Sequence, residues 1–171
     1  MALNELIAPG ESVKRIRPEE LFFSTTDRRG LIRSGNSVFV RVSGFSLEEL
    51  TGAPHNIVRH PDMPAGVFRL VWDRLLAGRP AGAYVRNLAK DGASYWVFAT
   101  MTPTVDDGFL SVRMAPQGEL FDVVRKIYRQ VLDVERAAAA RGLNRREVAQ
   151  TGLTRLEQAL GELGFGSHDE F

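Results

Sequence analysis

Two long β-prone runs, residues 84–90 and 93–102, flank Asp91-Gly92, and this arrangement restricts the fold more than any other stretch. An Asp-Gly pair between such runs is a strong short-range signal for an antiparallel hairpin. If Lys90, Asp91 and Gly92 form a three-residue loop with a glycine bulge, Val85, Asn87, Tyr95, Val97, Ala99 and Met101 share one face, and Trp96 and Phe98 share the other. A two-residue turn would reverse some of these pairings. Residues 109–114 supply a following strand, and upstream LFFSTT (21–26), the turn DRRG (27–30) and residues 31–34 form a second hairpin. Between the hairpins lie short helical pieces, residues 36–42 and 46–50, the latter opened by a Ser46/Glu49 capping box. Pro64 starts a longer helix to about Ala77, with Val67, Leu70, Val71 and Leu75 on one face and Gly78 as terminator. Strand, strand, short helices, one longer helix and three strands predict an α+β fold, a five-stranded antiparallel sheet with helices on one face. The space between the layers is the natural pocket.

From Glu119 the pattern turns helical. Leu120, Val124, Ile127, Val131 and Val134 recur at heptad spacing, which suits either a homodimer coiled coil or a helix docked on its own sheet. Asn144 with Glu147, and Thr154 with Glu157, read as capping boxes of two further short helices. The chain thus divides into an N-terminal cap (1–20), a sensor-sized core (21–116), C-terminal output or dimerisation helices (117–165) and a polar tail (166–171). Trp96 and Phe98, on the outer sheet face, call for cover by the cap or by a second subunit.

The 171 residues hold 22 Lys and Arg against 21 Asp and Glu, so bulk charge gives no reason to expect nucleic acid or an anionic membrane. Without cysteine, disulfides, thiolate metal sites and cysteinyl-flavin photochemistry are excluded. Neither a signal peptide nor a membrane-spanning run is evident, and the expectation is a cytoplasmic, soluble protein. His55, His60 and Asp62 match no tight metal motif. No activated nucleophile or phosphate-cradling glycine loop accompanies them, so no enzyme is expected.

The segment GAPHNIVRHPDMP (52–64) carries a more specific signal. With STTD (24–27), Asn36 and Phe39, VSGFSLEEL (42–50), Trp72, Gly78 and KDGASYWV (90–97), it resembles the PAS domain of bacterial aerotaxis receptors. The resemblance covers about residues 22–115. It implies the PAS fold and a non-covalently bound FAD whose redox state is the signal. It places Asn36, Asn56, Arg59, His60 and Asp62 at or beside the flavin, with Trp72 on the helix behind. The planar fork of Arg59 suits a pyrophosphate, and the strand face carrying Asn87, Val97 and Met101 suits the ring. The family's usual tryptophan after the proline is replaced here, where Arg79-Pro80 precedes Ala81-Gly82-Ala83. A chemoreceptor or histidine kinase is the implied listener. Two other readings remain open: a haem sensor using His60, and a ligand-free interaction module in which Arg59, His60 and Asp62 form a local network while Asn36 and Asn56 cap helices.

Overall fold

A computed structural model describes residues 12–165. Five strands, β1 (Phe22–Asp27), β2 (Ile32–Gly35), β3 (Ala81–Leu88), β4 (Ser94–Pro103) and β5 (Gly108–Met114), form one sheet in the order β2-β1-β5-β4-β3, every neighbouring pair antiparallel. Between β2 and β3 the chain passes through α1 (Ser37–Ser43), α2 (Leu47–Leu50), a 3-10 turn (His55–Val58) and α3 (Ala65–Leu76). The expected α+β layering is what forms. The Ser46/Glu49 capping box closes in both directions, each partner accepting the other's backbone N–H.

The central hairpin adopts the three-residue loop. Ala89 donates its N–H to the Ala93 carbonyl at 2.8 Å, and Gly92 lies at φ 84°, a left-handed geometry that glycine adopts without steric cost. Val85 is therefore opposite Val97 and Asn87 opposite Tyr95, which puts these four on the inner face with Ala99. Strand β3 begins three residues earlier than its propensity suggests. Ala81, Gly82 and Ala83 are poor strand formers, yet they pair with Met101, Thr100 and Ala99 of β4. Their small size lets the Phe98 ring and the C-terminal helices close over this edge strand.

After Gly118 come two helices, α4 (Glu119–Ala140) and α5 (Arg145–Glu162). The second break expected at Thr154 is absent: α5 is continuous, and Thr154 Oγ1 donates to the Gln150 carbonyl one turn back. No proline intervenes, and Gly152, Leu153, Leu156, Ala159 and Leu160 form one buried stripe whose packing offsets the low helix propensity of Gly152. The Asn144/Glu147 box does cap its start. Of the heptad residues, Val124, Ile127 and Val131 are buried within the chain, while Leu120 is exposed. The seam docks in cis.

The first part of α4 covers the outer sheet face. Phe121 lies 5.3 Å from both Tyr84 and Trp96, and Tyr128 lies 6.3 Å from Trp96, ring centre to ring centre. Trp96 is thus partly covered by the chain's own α4, while Phe98 packs against Tyr84 and Gly82 of β3. Burying Phe121, Val124, Ile127, Tyr128 and Val131 is worth roughly 1.5–3 kcal/mol for each aliphatic or phenyl group, enough to hold a helix that would be marginal alone. Residues 1–11 of the expected cap and the tail from 166 lie outside the described residues. Residues 12–14 run beside the start of β4, with Lys14 N–H donating to the Ser94 carbonyl at 2.8 Å.

Candidate functional site

The expected residues separate into two neighbourhoods. Around the motif, Arg59 is half-buried; it donates to the Met63 carbonyl at 2.8 Å and lies over the Phe68 ring, 4.3 Å from its centre. Burial lowers its pKa from the ordinary value, and the Glu135 carboxylate opposes that shift. His60 is buried, and its Nδ1 accepts the Asp62 backbone N–H at 3.0 Å. Asp62 is half-exposed and paired with Arg136 of α4 at 3.0 Å and with Arg86 of β3 at 3.6 Å. A bridge between Arg59 and Asn87 and the His60 N–H on the Arg86 carbonyl tie this segment to β3. Asn87 and Val97 are buried, and Met101 packs partly against the core.

The remaining expected residues lie apart from these. Asn36 is the N-cap of α1, accepting the Phe39 N–H at 3.1 Å and donating to the Leu21 carbonyl at 3.2 Å. Asn56 is exposed on the 3-10 turn. Trp72 meets Phe109 edge-on at 5.5 Å and packs against Gly30.

A separate polar cluster lies outside the expected set. On the inner face Arg113 of β5 is buried and donates to Ser24 Oγ at 3.0 Å and to His55 Nε2 at 2.7 Å. Its guanidinium lies over Phe22 and Phe39, 5.7 and 5.3 Å from the ring centres, and Phe39 stacks on the His55 ring at 5.8 Å. A guanidinium has only donors, so His55 Nε2 must accept and the imidazole is neutral with its proton on Nδ1. Desolvation, and then the Arg113 charge, pull the His55 pKa down to about 3. Burial likewise lowers Arg113 to about 10.

Two polar atoms on the same face stand unsatisfied. Tyr95 Oη and Ser111 Oγ are buried and find no hydrogen-bond partner among the described residues. Leaving such groups unpaired costs ~1–3 kcal/mol each, a cost that a bound molecule with polar edges would remove. An inward charge at Arg113, in the alternation Phe109, Ser111, Arg113, was the available sequence signal. Among the described residues, no group of three or more His, Asp or Glu side chains is placed to hold a metal ion. No described helix is long and apolar enough to cross a membrane.

This layered sheet and its short helices form a PAS fold, and residues 33–114 match the family profile described as PAS fold. Over 110 residues the chain is 42% identical to the Escherichia coli aerotaxis receptor, covering 62% of this chain and 22% of that protein. The nitrogen fixation regulatory protein of Klebsiella pneumoniae is 29% identical over 112 residues, 66% of this chain and 21% of its own length. The chain thus spans about a fifth of the curated relatives it matches. Among solved structures, a light-oxygen-voltage domain studied with a flavin analogue superposes with TM-score 0.56 at 17% identity, covering 65% of this chain and 88% of that one. The aureochrome1 LOV domain in its light state gives 0.54 at 14%, covering 61% and 88%. At these identities the two structures speak for the fold.

Proposed function

We propose that this domain is a redox-sensing, non-catalytic signalling module that binds FAD non-covalently against the inner sheet face. The observation that carries the reading is the Arg113–His55–Ser24 cluster, its arginine and serine buried, with Tyr95 Oη and Ser111 Oγ unsatisfied on the same face. A buried cation with only neutral partners favours a ligand that brings electron-rich carbonyl and nitrogen atoms, as a flavin ring edge does. Aromatic side chains around it suit a planar ring. The phenol and hydroxyl can each donate or accept, so they can follow a change in the ring's protonation. In the structure Phe22, Phe39, Met63 and Tyr95 pack into one core, so a ring is admitted only as the helical side moves off the sheet.

The aerotaxis receptor likeness supports this reading, and with it Arg59 as the pyrophosphate ligand and His60, Asp62, Asn87, Val97 and Met101 as its surroundings. Asn36, Asn56 and Trp72 belong to the same proposal, although their present partners are a cap, solvent and Phe109. A chemoreceptor or histidine kinase is the proposed listener and the cytoplasm the proposed location. A homodimer is the proposed assembly, through a surface other than the heptad seam, because Val124, Ile127 and Val131 of that seam are buried in cis.

An absorbance spectrum of untreated protein tests the proposal. Bands near ~450 nm are expected of bound oxidised flavin. A Soret band would replace FAD with haem, and colourless protein that fails to take up added FAD would leave only the interaction module. Substituting Arg59→Ala or Asp62→Ala should reduce retained cofactor; full retention by both would remove them from the site.

A further inference from the structure

The join between the C-terminal helices and the motif has no counterpart in the flavin reading. Glu135 of α4 is 6% exposed, and its carboxylate oxygens accept the first backbone N–H groups of α3, from Ala65 at 2.9 Å and Gly66 at 2.8 Å. A carboxylate at a helix N-terminus meets orphan donors and the positive end of the helix dipole, a favourable partly buried arrangement. Helix α5 closes over it. A Cβ on Gly66 would overlap the backbone of Gly152 and Leu153, and a Cβ on Gly152 would overlap the Glu135 carboxylate. Two glycines in helices, each costing about 1 kcal/mol relative to alanine, are thus required for α3, Glu135 and α5 to come this close. One residue on, Arg136 reaches back to Asp62. Apolar contact completes the joint, where Val67, Leu70 and Val71 of α3 face Leu156 and Leu160 of α5 around a cavity of about 20 Å³.

We infer that the α4–α5 hairpin is an autoinhibitory strap, latched by Glu135 and Arg136 onto the segment 59–66 and competing with ligand for that segment. The competition rests on the flavin reading above; the latch does not. Asp62 is now held by Arg136 and Arg86, and Arg59 by the Met63 carbonyl, within the field of the Glu135 carboxylate. Both are residues that a dinucleotide would recruit. Ligand that draws them inward loosens the latch, and by linkage an unlatched hairpin raises the affinity for ligand by the same factor. The strap then leaves the α3–β3 flank when the pocket fills.

Hydrogen exchange on the full chain tests the latch without any cofactor. In Gly152→Ala, whose helix propensity is higher than wild type, α5 amides should exchange at least ten times faster while β4 amides keep their protection; unchanged α5 protection would overturn the latch. If Gly152→Ala loses protection throughout, Glu135→Gln is the second variant, with the same expectation for α5 and the same overturning result. The competition is read with FAD as the probe. Wild-type α5 should exchange at least threefold faster once added FAD is bound, and Gly152→Ala should bind FAD at least threefold tighter. Equal α5 rates with FAD bound, or equal affinities, would overturn the competition. If neither protein binds FAD, the flavin reading and the competition both fall, and the cofactor-free exchange judges the latch by itself.

Discussion

Arg59 and Arg113 show how one residue type is put to two uses. Arg59 lies in the motif, half-buried, with a carbonyl and a phenyl ring as partners and the Glu135 carboxylate nearby to offset its charge. Arg113 is on the central strand β5, buried, and held by a serine hydroxyl and a neutral imidazole. The first arrangement is one a folded protein can maintain at little cost. The second is poorly compensated electrostatically, and it is the place where the proposed ligand would make up the difference. Sequence similarity draws attention to the motif, whereas physical chemistry draws it to the sheet.

The largest effect that separates the two regions should appear in cofactor affinity. Arg113→Met is expected to weaken FAD binding at least a hundredfold by fluorescence titration, and Arg59→Ala about tenfold, consistent with charge-assisted bonds being worth more when desolvated. Equal losses would erase the distinction. In ligand-free protein the order should invert: Arg113→Met removes a poorly compensated buried charge and should leave urea stability unchanged or raised by about 1 kcal/mol or more.

A pH titration of stability separates them next. His55 has its folded pKa lowered to about 3, so between that value and the unfolded value near 6.5 the unfolded chain binds the extra proton. Stability is complete above pH ~6.5 and falls with acid by up to about 1.4 kcal/mol per pH unit, or roughly 2 kcal/mol from pH 7 to pH 5. His55→Gln should remove that slope, as followed by urea midpoints; a slope unaltered in the variant would mean the imidazole is not held neutral. The smallest effect belongs to the motif's surface pairing. Asp62→Asn in ligand-free protein should cost under about 1 kcal/mol, because its bond to Arg136 is largely exposed. A larger cost would show that the segment carries more of the fold than its exposure suggests.

Strand alternation, the Asp-Gly turn and the Ser46/Glu49 box could be read from the chain, because each depends on neighbours within a few residues; the face shared by Val85, Asn87, Tyr95 and Val97 followed only once the three-residue loop was fixed. The early start of β3 could not be read, since Ala81 and Gly82 are strand only through their partners on β4. Nor could the continuous α5, whose Thr154 satisfies its hydroxyl on the preceding turn instead of starting a new one. Of the candidate site, the motif residues were identifiable by likeness, but the meeting of Ser24, His55 and Arg113 was not. Their pairing joins positions far apart in the chain, and no local pattern encodes it.

Local chemistry in the sequence therefore determined most of the elements and their order, and reduced the parity of the central hairpin to two choices. Tertiary packing alone decided that α4 covers Trp96, that Glu135 finds the start of α3, and that an arginine on the last strand faces inward toward a histidine from the motif. The reason is one of range. Turn and cap energies act within a few residues, whereas burial and charge pairing act between surfaces that meet only when the whole chain has closed.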